Sequence, residues 1–264
     1  MQITEIYKSL QGESTYAGLP CVFVRLTGCN LRCTWCDSEF SFYGGSKMTI
    51  DEVVSEVDKL QPPTSNQQPP TSTQQLATSN QQLPTSNQQP QTSNQQPATS
   101  NCLVEITGGE PMLQEREVVP LMERLVEAGY KVLLETSGER PLARVPGQVV
   151  KIVDVKCPHS GEAGTFNLDN LAALQPHDEL KFVLSNRADY EFARDFVSLH
   201  QLAGRVNAIL FSPAFKKDAN GARDTSHCLL DPEQLAQWML ADDVPARLSL
   251  QIHKLIWDPA AKGV

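Results

Sequence analysis

The sequence predicts an α/β fold built on a parallel sheet that is either open or rolled into a barrel. Two observations lead to this prediction. Short apolar runs rich in Val, Ile and Leu alternate along the chain with longer amphipathic segments. Polar residues follow several of the apolar runs directly, as they do at the ends of strands that carry a site. The chain of 264 residues is long enough for one domain with a sizeable core.

The predicted elements follow the chain in β-then-α order. Strands are expected at 21–28, 102–109, 130–138, 149–158, 178–185, 205–213 and 247–254. Helices are expected at 49–60, around 113–129, at 187–204 and at 231–243. Thr49 suits the N-cap of the first helix, whose Val53, Val54 and Val57 share one face, and Gly129 suits the end of the second.

One segment, 61–101, does not fit this alternation. From Thr64 it repeats the heptad TSNQQPx, and the whole segment lacks charged residues. The repeats contain several prolines and almost no apolar residues, so they offer no seam for a coiled coil. The segment is predicted to be a disordered, low-complexity insert within a single domain that spans 1–264.

The net charge and the amino-terminal sequence limit the functional classes to which the protein could belong. The formal charge is −9 with a pI near 5.1, which disfavours nucleic acid as a partner and favours a small polar substrate. The amino terminus lacks a basic segment followed by an apolar run, and no apolar stretch is long enough to span a bilayer. We therefore expect a soluble, cytoplasmic protein.

The polar residues cluster after successive predicted strands. Gly28-Cys29, the TGGEP run from Thr107, the ETSG run from Glu135 and the DVKCP run from Asp154 each follow a strand. Because the carboxyl ends of parallel strands meet at one edge of the sheet, these residues are expected to form one site there.

The most specific chemical signal is the spacing of Cys29, Cys33 and Cys36. Three thiolates are one short of the four that close a structural zinc site or an ordinary iron–sulfur cluster. Cys157 or Cys228 could complete a zinc site from a distance. The remaining cysteines are scattered, which indicates a reducing compartment with metal or redox chemistry at the triplet.

The cysteine triplet and the GGEP run at 108–111 together resemble the radical S-adenosylmethionine (SAM) superfamily. A narrower resemblance, to the 7-carboxy-7-deazaguanine synthase family, runs from SLQGES through the cysteine loop to EITGGEP, LLETSG, DVKCPHSGE, KFVLS, LFSP and LSLQIHKLIWDP. It covers nearly the whole chain except the heptad insert.

This resemblance implies a truncated, open-sided parallel (β/α) barrel of about six strands that forms homodimers. It implies a lyase that converts 6-carboxy-5,6,7,8-tetrahydropterin to 7-carboxy-7-deazaguanine with loss of ammonia, in queuosine or deazapurine biosynthesis. The implied cofactors are a [4Fe–4S] cluster, SAM and Mg²⁺, and the cluster would take its electron from a flavodoxin or ferredoxin type of reductant. The vacant iron of the cluster would bind SAM.

The resemblance also assigns residues. The cluster would be held by Cys29, Cys33 and Cys36, and the Mg²⁺ by Ser38. A second set would bind SAM: Trp35, Cys36, Asp37, Gly109, Ser137, Asp154, Val155, Lys156, Phe211, Ser212 and Pro213. A third set would bind the pterin: Leu10, Gln11, Gly12, Glu13, Arg25, Thr107, Glu135 and His253. No catalytic side chain is expected beyond the cluster-bound SAM.

Three departures from the family pattern are visible. Ser38 stands where the family usually has a threonine, and Ser14 where it has a glycine. Some family members use their terminal carboxylate near the substrate, whereas this sequence continues through DPAAKGV.

Two alternatives remain at this point. One is a radical activase that removes hydrogen from a glycine of a partner protein. The other is a zinc-binding module without enzymatic activity. The QGE run, Arg25 and the QIHK run favour a small carboxylated substrate over a protein.

Overall fold

The computed structural model describes residues 1–61, 102–216, 223–258 and 261–263. The predicted insert at 61–101 lies outside these ranges apart from Gln61.

The described residues form one open sheet of nine strands in the order β3-β1-β2-β4-β5-β6-β7-β8-β9. From β2 to β9 all neighbours are parallel, whereas β1 pairs antiparallel with both β2 and β3. The strands are β1 (Gln2–Leu10), β2 (Pro20–Leu26), β3 (Ser46–Lys47), β4 (Leu103–Gly108), β5 (Lys131–Thr136), β6 (Val150–Asp154), β7 (Glu179–Leu184), β8 (Ala208–Pro213) and β9 (Arg247–Leu248). Strands β2 and β4 to β8 form the longer parallel part, which confirms the predicted open-sided parallel sheet of about six strands.

Six α-helices lie within the described ranges: α1 (Ile50–Leu60), α2 (Glu115–Glu127), α3 (Asn170–Ala173), α4 (Arg187–Leu199), α5 (Pro232–Ala241) and α6 (His253–Ile256), which follows the last strand. The predicted cap of α1 is confirmed, because Thr49 and Glu52 form a reciprocal capping box. Gly129 follows α2 with a φ of +91°, a conformation that suits glycine at a helix end.

Strand alternation separates a helix-covered face from a polar face. On β2, Val22, Val24 and Leu26 pack into the main core with Val53 and Val57 of α1. The residues between them belong to the opposite face, so each parallel strand presents alternate side chains there.

Two predictions about the chain ends need correction. β1 was not expected, although it borders the polar face. The predicted strand at 247–254 is a strand only at Arg247–Leu248, and His253 begins the helical turn α6 instead. The backbone N–H of Ile252 donates to the carbonyl of Gly12, at 3.0 Å, which holds this turn against the loop after β1. None of the described helices is long and apolar enough to cross a membrane.

Candidate active site

One cleft is lined by the polar residues that lie at the carboxyl ends of the central strands. Its walls include Arg25 of β2, Thr107 of β4, Glu135 of β5, Asp154 of β6 and Lys181 of β7. The register explains this gathering, because Arg25 pairs with Thr107 and Asp154 pairs with Lys181 in neighbouring strands. Paired residues of parallel strands point to the same face. The predicted location at the carboxyl ends of the strands is therefore where the cleft lies.

The loop after β2, residues 27–38, carries the cysteine triplet along one side of the cleft. Cys29, Cys33 and Cys36 are partly exposed, and all of them line the cleft. Burial raises the pKa of all three thiols, to about 11 for Cys36. The loop is fixed by the backbone N–H of Thr34, which donates to the carbonyl of Ser160 at 2.9 Å.

The zinc alternative requires four ligands that converge on a single ion. Within the described ranges, no group of three His, Cys, Asp or Glu residues is arranged to hold one metal ion. A cubane presents a different iron to each cysteine, so its ligands stand farther apart than the ligands of one zinc. Neither Cys157 nor Cys228 lines the cleft, and both are buried, so neither supplies the fourth thiolate that the zinc alternative requires.

The glycines of the GGEP run pack directly against the cysteine loop. A Cβ at Gly109 would overlap the carbonyl oxygen of Gly28 and would lie 2.8 Å from the Cβ of Cys29. The backbone N–H of Glu110 donates to that same carbonyl at 2.8 Å. Gly109 is therefore required for the close approach of two backbones beside the cysteines.

We expect the Gly109→Ala substitution to displace the cysteine loop, because the added methyl group meets backbone atoms that cannot rotate away. Overpacking of this kind costs about 1–3 kcal/mol. The measurable result is a lower iron content per protein after anaerobic reconstitution. Gly147→Ala is the matched control, since a Cβ there meets only the end of the Gln175 side chain, at 3.3 Å. Full iron content in Gly109→Ala would contradict this account of the packing.

Glu110 links the ends of β4 and β5 through hydrogen bonds. Its buried carboxylate accepts hydrogen bonds from Thr136 Oγ1 at 2.7 Å, from Ser137 Oγ at 2.6 Å and from the backbone N–H groups of Ser137 and Met112. Ser137 was predicted to bind SAM. It lines the cleft, but its hydroxyl already donates to Glu110.

Asp154 and Lys156 form an ion pair of 2.7 Å beside the cysteines. Burial disfavours the charge on Lys156, but Asp154 outweighs that effect and raises its pKa. Asp154 lines the cleft, and its buried Oδ1 has no hydrogen-bond partner among the described residues. An acceptor that is buried without a donor fits a site whose ligand supplies one. The amino group of a bound SAM is such a donor.

Gln11 and Glu13, which follow β1, also line the cleft. The side-chain oxygen of Gln11 accepts from the backbone N–H groups of Glu13 and Ser14, which orders the loop. Glu13 accepts from Lys181 Nζ at 2.7 Å and lies 3.7 Å from His253 Nε2. Burial alone would raise the pKa of Glu13, but Lys181 and His253 reverse this and lower it to about 2.

Gly12 lies beneath His253. A Cβ at Gly12 would overlap Nδ1 of the histidine ring, so glycine is needed for the ring to occupy this place. His253 was predicted to lie on a strand facing the substrate. The structure places it in the cleft from the first turn of α6.

Arg25 is held on the polar face by two partners from β1. Its Nε donates to Glu5 Oε1 at 2.8 Å and its Nη2 to the Tyr7 hydroxyl at 2.6 Å. Burial disfavours the charge of Arg25, but Tyr7 and Glu5 stabilise it and raise its pKa. The guanidinium has five N–H donors, so these two contacts leave others for a ligand carboxylate.

Lys181 and Glu105 also line the cleft, although no motif in the sequence predicts them there. Lys181 contacts Glu135 as well as Glu13, and the Thr107 hydroxyl donates to Glu135 at 3.2 Å. Glu105 is 2% exposed and accepts from Gln11 Nε2 at 3.1 Å. Burial, with a further contribution from the charge of Glu135, raises the pKa of Glu105 to about 8.

The remaining predicted residues divide into two groups. Those that line the cleft are Leu10, Trp35, Asp37 and Ser38. Those that do not line it are Val155, Phe211, Ser212 and Pro213. Phe211 lies in the main core and packs against Phe182 and Tyr190, on the helix-covered side of the sheet. Its side chain therefore faces away from the cleft.

Comparison with known proteins gives a consistent set of relatives. No family model matches the chain. The chain is 58% identical to a 7-carboxy-7-deazaguanine synthase from Koribacter versatilis, over all of both chains. It is 35% identical to a protein of the same name from Chlorobaculum tepidum, covering all of this chain and 97% of that protein. A third, from Methanospirillum hungatei, is 33% identical and the match covers 98% of this chain and 86% of that one.

Solved structures show the same fold. QueE from Escherichia coli matches with a TM-score of 0.61 at 20% identity, covering 95% of this chain and 93% of that one. A radical SAM methyltransferase from Sphaerobacter thermophilus matches with a TM-score of 0.51 at 15% identity, covering 88% and 66%. At these identities the likeness concerns the fold, which does not by itself fix an activity.

Proposed function

The chain belongs to the 7-carboxy-7-deazaguanine synthase family, and we propose that it converts 6-carboxy-5,6,7,8-tetrahydropterin to 7-carboxy-7-deazaguanine with loss of ammonia. Membership identifies a radical SAM lyase of queuosine biosynthesis, which uses SAM and a [4Fe–4S] cluster. The observation that carries the proposal is the 58% identity over the full length of a relative with this name. The activase and zinc-module alternatives do not agree with it.

We propose Cys29, Cys33 and Cys36 as the ligands of the cluster. When bound, the cluster and SAM supply the radical chemistry that removes a hydrogen from the substrate. Asp154 supports the placement of SAM beside these cysteines, because its unpartnered Oδ1 would accept from the amino group of SAM. The tight contact of Gly109 with Gly28 sets the shape of this end of the cleft.

The opposite end is proposed to bind the pterin. Arg25 would pair with its carboxylate through the N–H groups that Glu5 and Tyr7 do not use. Glu13, ionised because Lys181 stabilises its charge, would accept from the N–H groups of the pterin ring. In this arrangement, the side chains of the protein contribute positioning more than acid–base catalysis.

Ser38 is proposed as the protein ligand of Mg²⁺. Its hydroxyl donates to Asp37 Oδ1 at 2.9 Å, so it would have to turn its lone pair toward the ion. Mg²⁺ keeps several waters and substrate oxygens, so a single protein hydroxyl is compatible with its coordination. We also propose that the protein forms a homodimer and receives its electron from an external one-electron reductant of the flavodoxin or ferredoxin type.

The proposal is tested by anaerobic reconstitution, followed by incubation with a chemical reductant, SAM, Mg²⁺ and 6-carboxytetrahydropterin. We expect a product with the mass and absorption of 7-carboxy-7-deazaguanine. The matched control is Cys33→Ala, which should form neither this product nor 5′-deoxyadenosine. Release of 5′-deoxyadenosine by the parent protein without any deazaguanine would refute the proposed substrate.

A further inference from the structure

Lys254, the second residue of α6, is a buried cation beside the cysteine loop. It is 5% exposed, and its Nζ lies 2.6 Å from Asp37 Oδ2. The same ammonium lies 5.2 Å from the centre of the Phe215 ring. A buried ammonium is costly unless it has charged or polar partners, so Lys254 is held firmly in this place.

Gln251 extends this contact toward the other end of the cleft. It is 6% exposed, its Oε1 accepts from Lys254 Nζ at 3.0 Å, and its Nε2 donates to Glu13 Oε1 at 2.8 Å. The two partners fix the orientation of the amide, because an ammonium can only donate and a carboxylate can only accept. Lys254 and Gln251 therefore connect Asp37, next to a cluster ligand, with Glu13, at the pterin end.

We propose that Lys254 and Gln251 are positioning residues that set the distance between the cysteine loop and the substrate. This inference rests on the proposed function, because it takes the loop as the site of the cluster and Glu13 as a substrate contact. Asp37 belongs to the cysteine loop, while Gln251 and Lys254 come from the segment after β9. The connection thus spans two chain segments that the central sheet does not join directly. Because small displacements between reacting groups have large effects on rate, a connection that fixes this distance affects turnover.

The first test is Lys254→Met, which keeps an unbranched side chain and removes the ammonium. We expect the ratio of 5′-deoxyadenosine released to deazaguanine formed to rise about tenfold, because SAM is still cleaved while the substrate is misplaced. Amide hydrogen exchange in the peptide that contains 29–38 should also become faster than in the parent. Lys8→Met, an exposed lysine of β1, is the control and should change neither quantity.

Gln251→Leu is the second test, which still applies if Lys254→Met loses its cluster or does not fold. It leaves the Lys254–Asp37 ion pair in place and removes the hydrogen bonds of the amide to Lys254 and to Glu13. We therefore expect parental iron content together with a raised ratio. A ratio equal to that of the parent in Gln251→Leu, with parental exchange in Lys254→Met, would overturn the inference. Failure of the proposed substrate is distinguishable, because the parent itself would then form no deazaguanine while the loop exchange of Lys254→Met would still differ from that of the parent.

Discussion

Replacing Lys181 with methionine is expected to lower the free energy of unfolding by about 3–5 kcal/mol at pH 7 and to abolish turnover. Lys181 is 3% exposed, contacts Glu13 and Glu135, and lies 4.0 Å from Asp154. Its removal leaves the buried Asp154 and the partly buried Glu13 and Glu135 without their shared cation. Breaking one side of a buried ion pair is costly because the remaining charges lose both water and partner. Glu13 and Glu135 are also proposed substrate contacts.

Chemical denaturation at several pH values measures this effect. Lys181 helps to lower the pKa of Glu13 from 4.5 to about 2, so this part of the stabilisation is complete above pH 4.5 and is lost as the pH falls toward 2. The difference between parent and Lys181→Met should shrink over the same interval. Lys59→Met removes an exposed partner of Glu56 and should cost at most about 1 kcal/mol. Equal losses in the two variants would contradict a special role for Lys181.

The parallel part of the fold could be predicted from sequence because its strands are short apolar runs between amphipathic helices. β1 could not, since among Gln2–Leu10 only Ile3 is buried and the side chains do not alternate clearly between buried and exposed. The segment after β9 shows the opposite case, because its sequence predicts a strand that the structure does not contain. LSLQIHK alternates like a strand, but Lys254 pairs with Asp37 and the backbone of Ile252 bonds to Gly12, so tertiary contacts impose a helical turn.

The residues of the candidate site also divide into those that the sequence predicts and those that it does not. The cysteines and Gly109 have a spacing that sequence alone can interpret, and Glu13 and Arg25 follow from the family resemblance. Lys181 and Glu105 have no such signal, because charged residues inside otherwise apolar strands are placed only by the register. Lys181 becomes a cleft residue when its pairing with Asp154 is known, and Glu105 when its pairing with Phe23 is known.

Glu105→Gln is expected to make the protein more stable by about 3–4 kcal/mol at pH 7.5 and to leave its stability nearly unchanged below pH 4.5. Burial and the neighbouring carboxylates Glu135 and Glu13 raise the pKa of Glu105 from 4.5 to about 8, against the hydrogen bond from Gln11 and the charge of Lys181. Between these two values the unfolded chain ionises Glu105 while the folded protein keeps its proton. The folded state therefore loses stability as the pH rises from 4.5 to 8.

The glutamine removes this titration without changing the shape of the side chain, because its amide oxygen can still accept from Gln11 Nε2. Free energies of unfolding for parent and variant, measured at intervals from pH 4.5 to 8, should diverge steadily as the pH rises. Glu56→Gln alters a carboxylate at the exposed pair with Lys59 and is the control, which should change the free energy of unfolding by at most about 1 kcal/mol. Parallel curves for Glu105→Gln would mean that Glu105 ionises in the folded protein as it does in the unfolded chain. A steeper loss of stability in the parent would show that the cleft holds a neutral carboxylic acid at neutral pH. Such a group could donate a hydrogen bond, whereas the ionised carboxylate of Glu13 can only accept one.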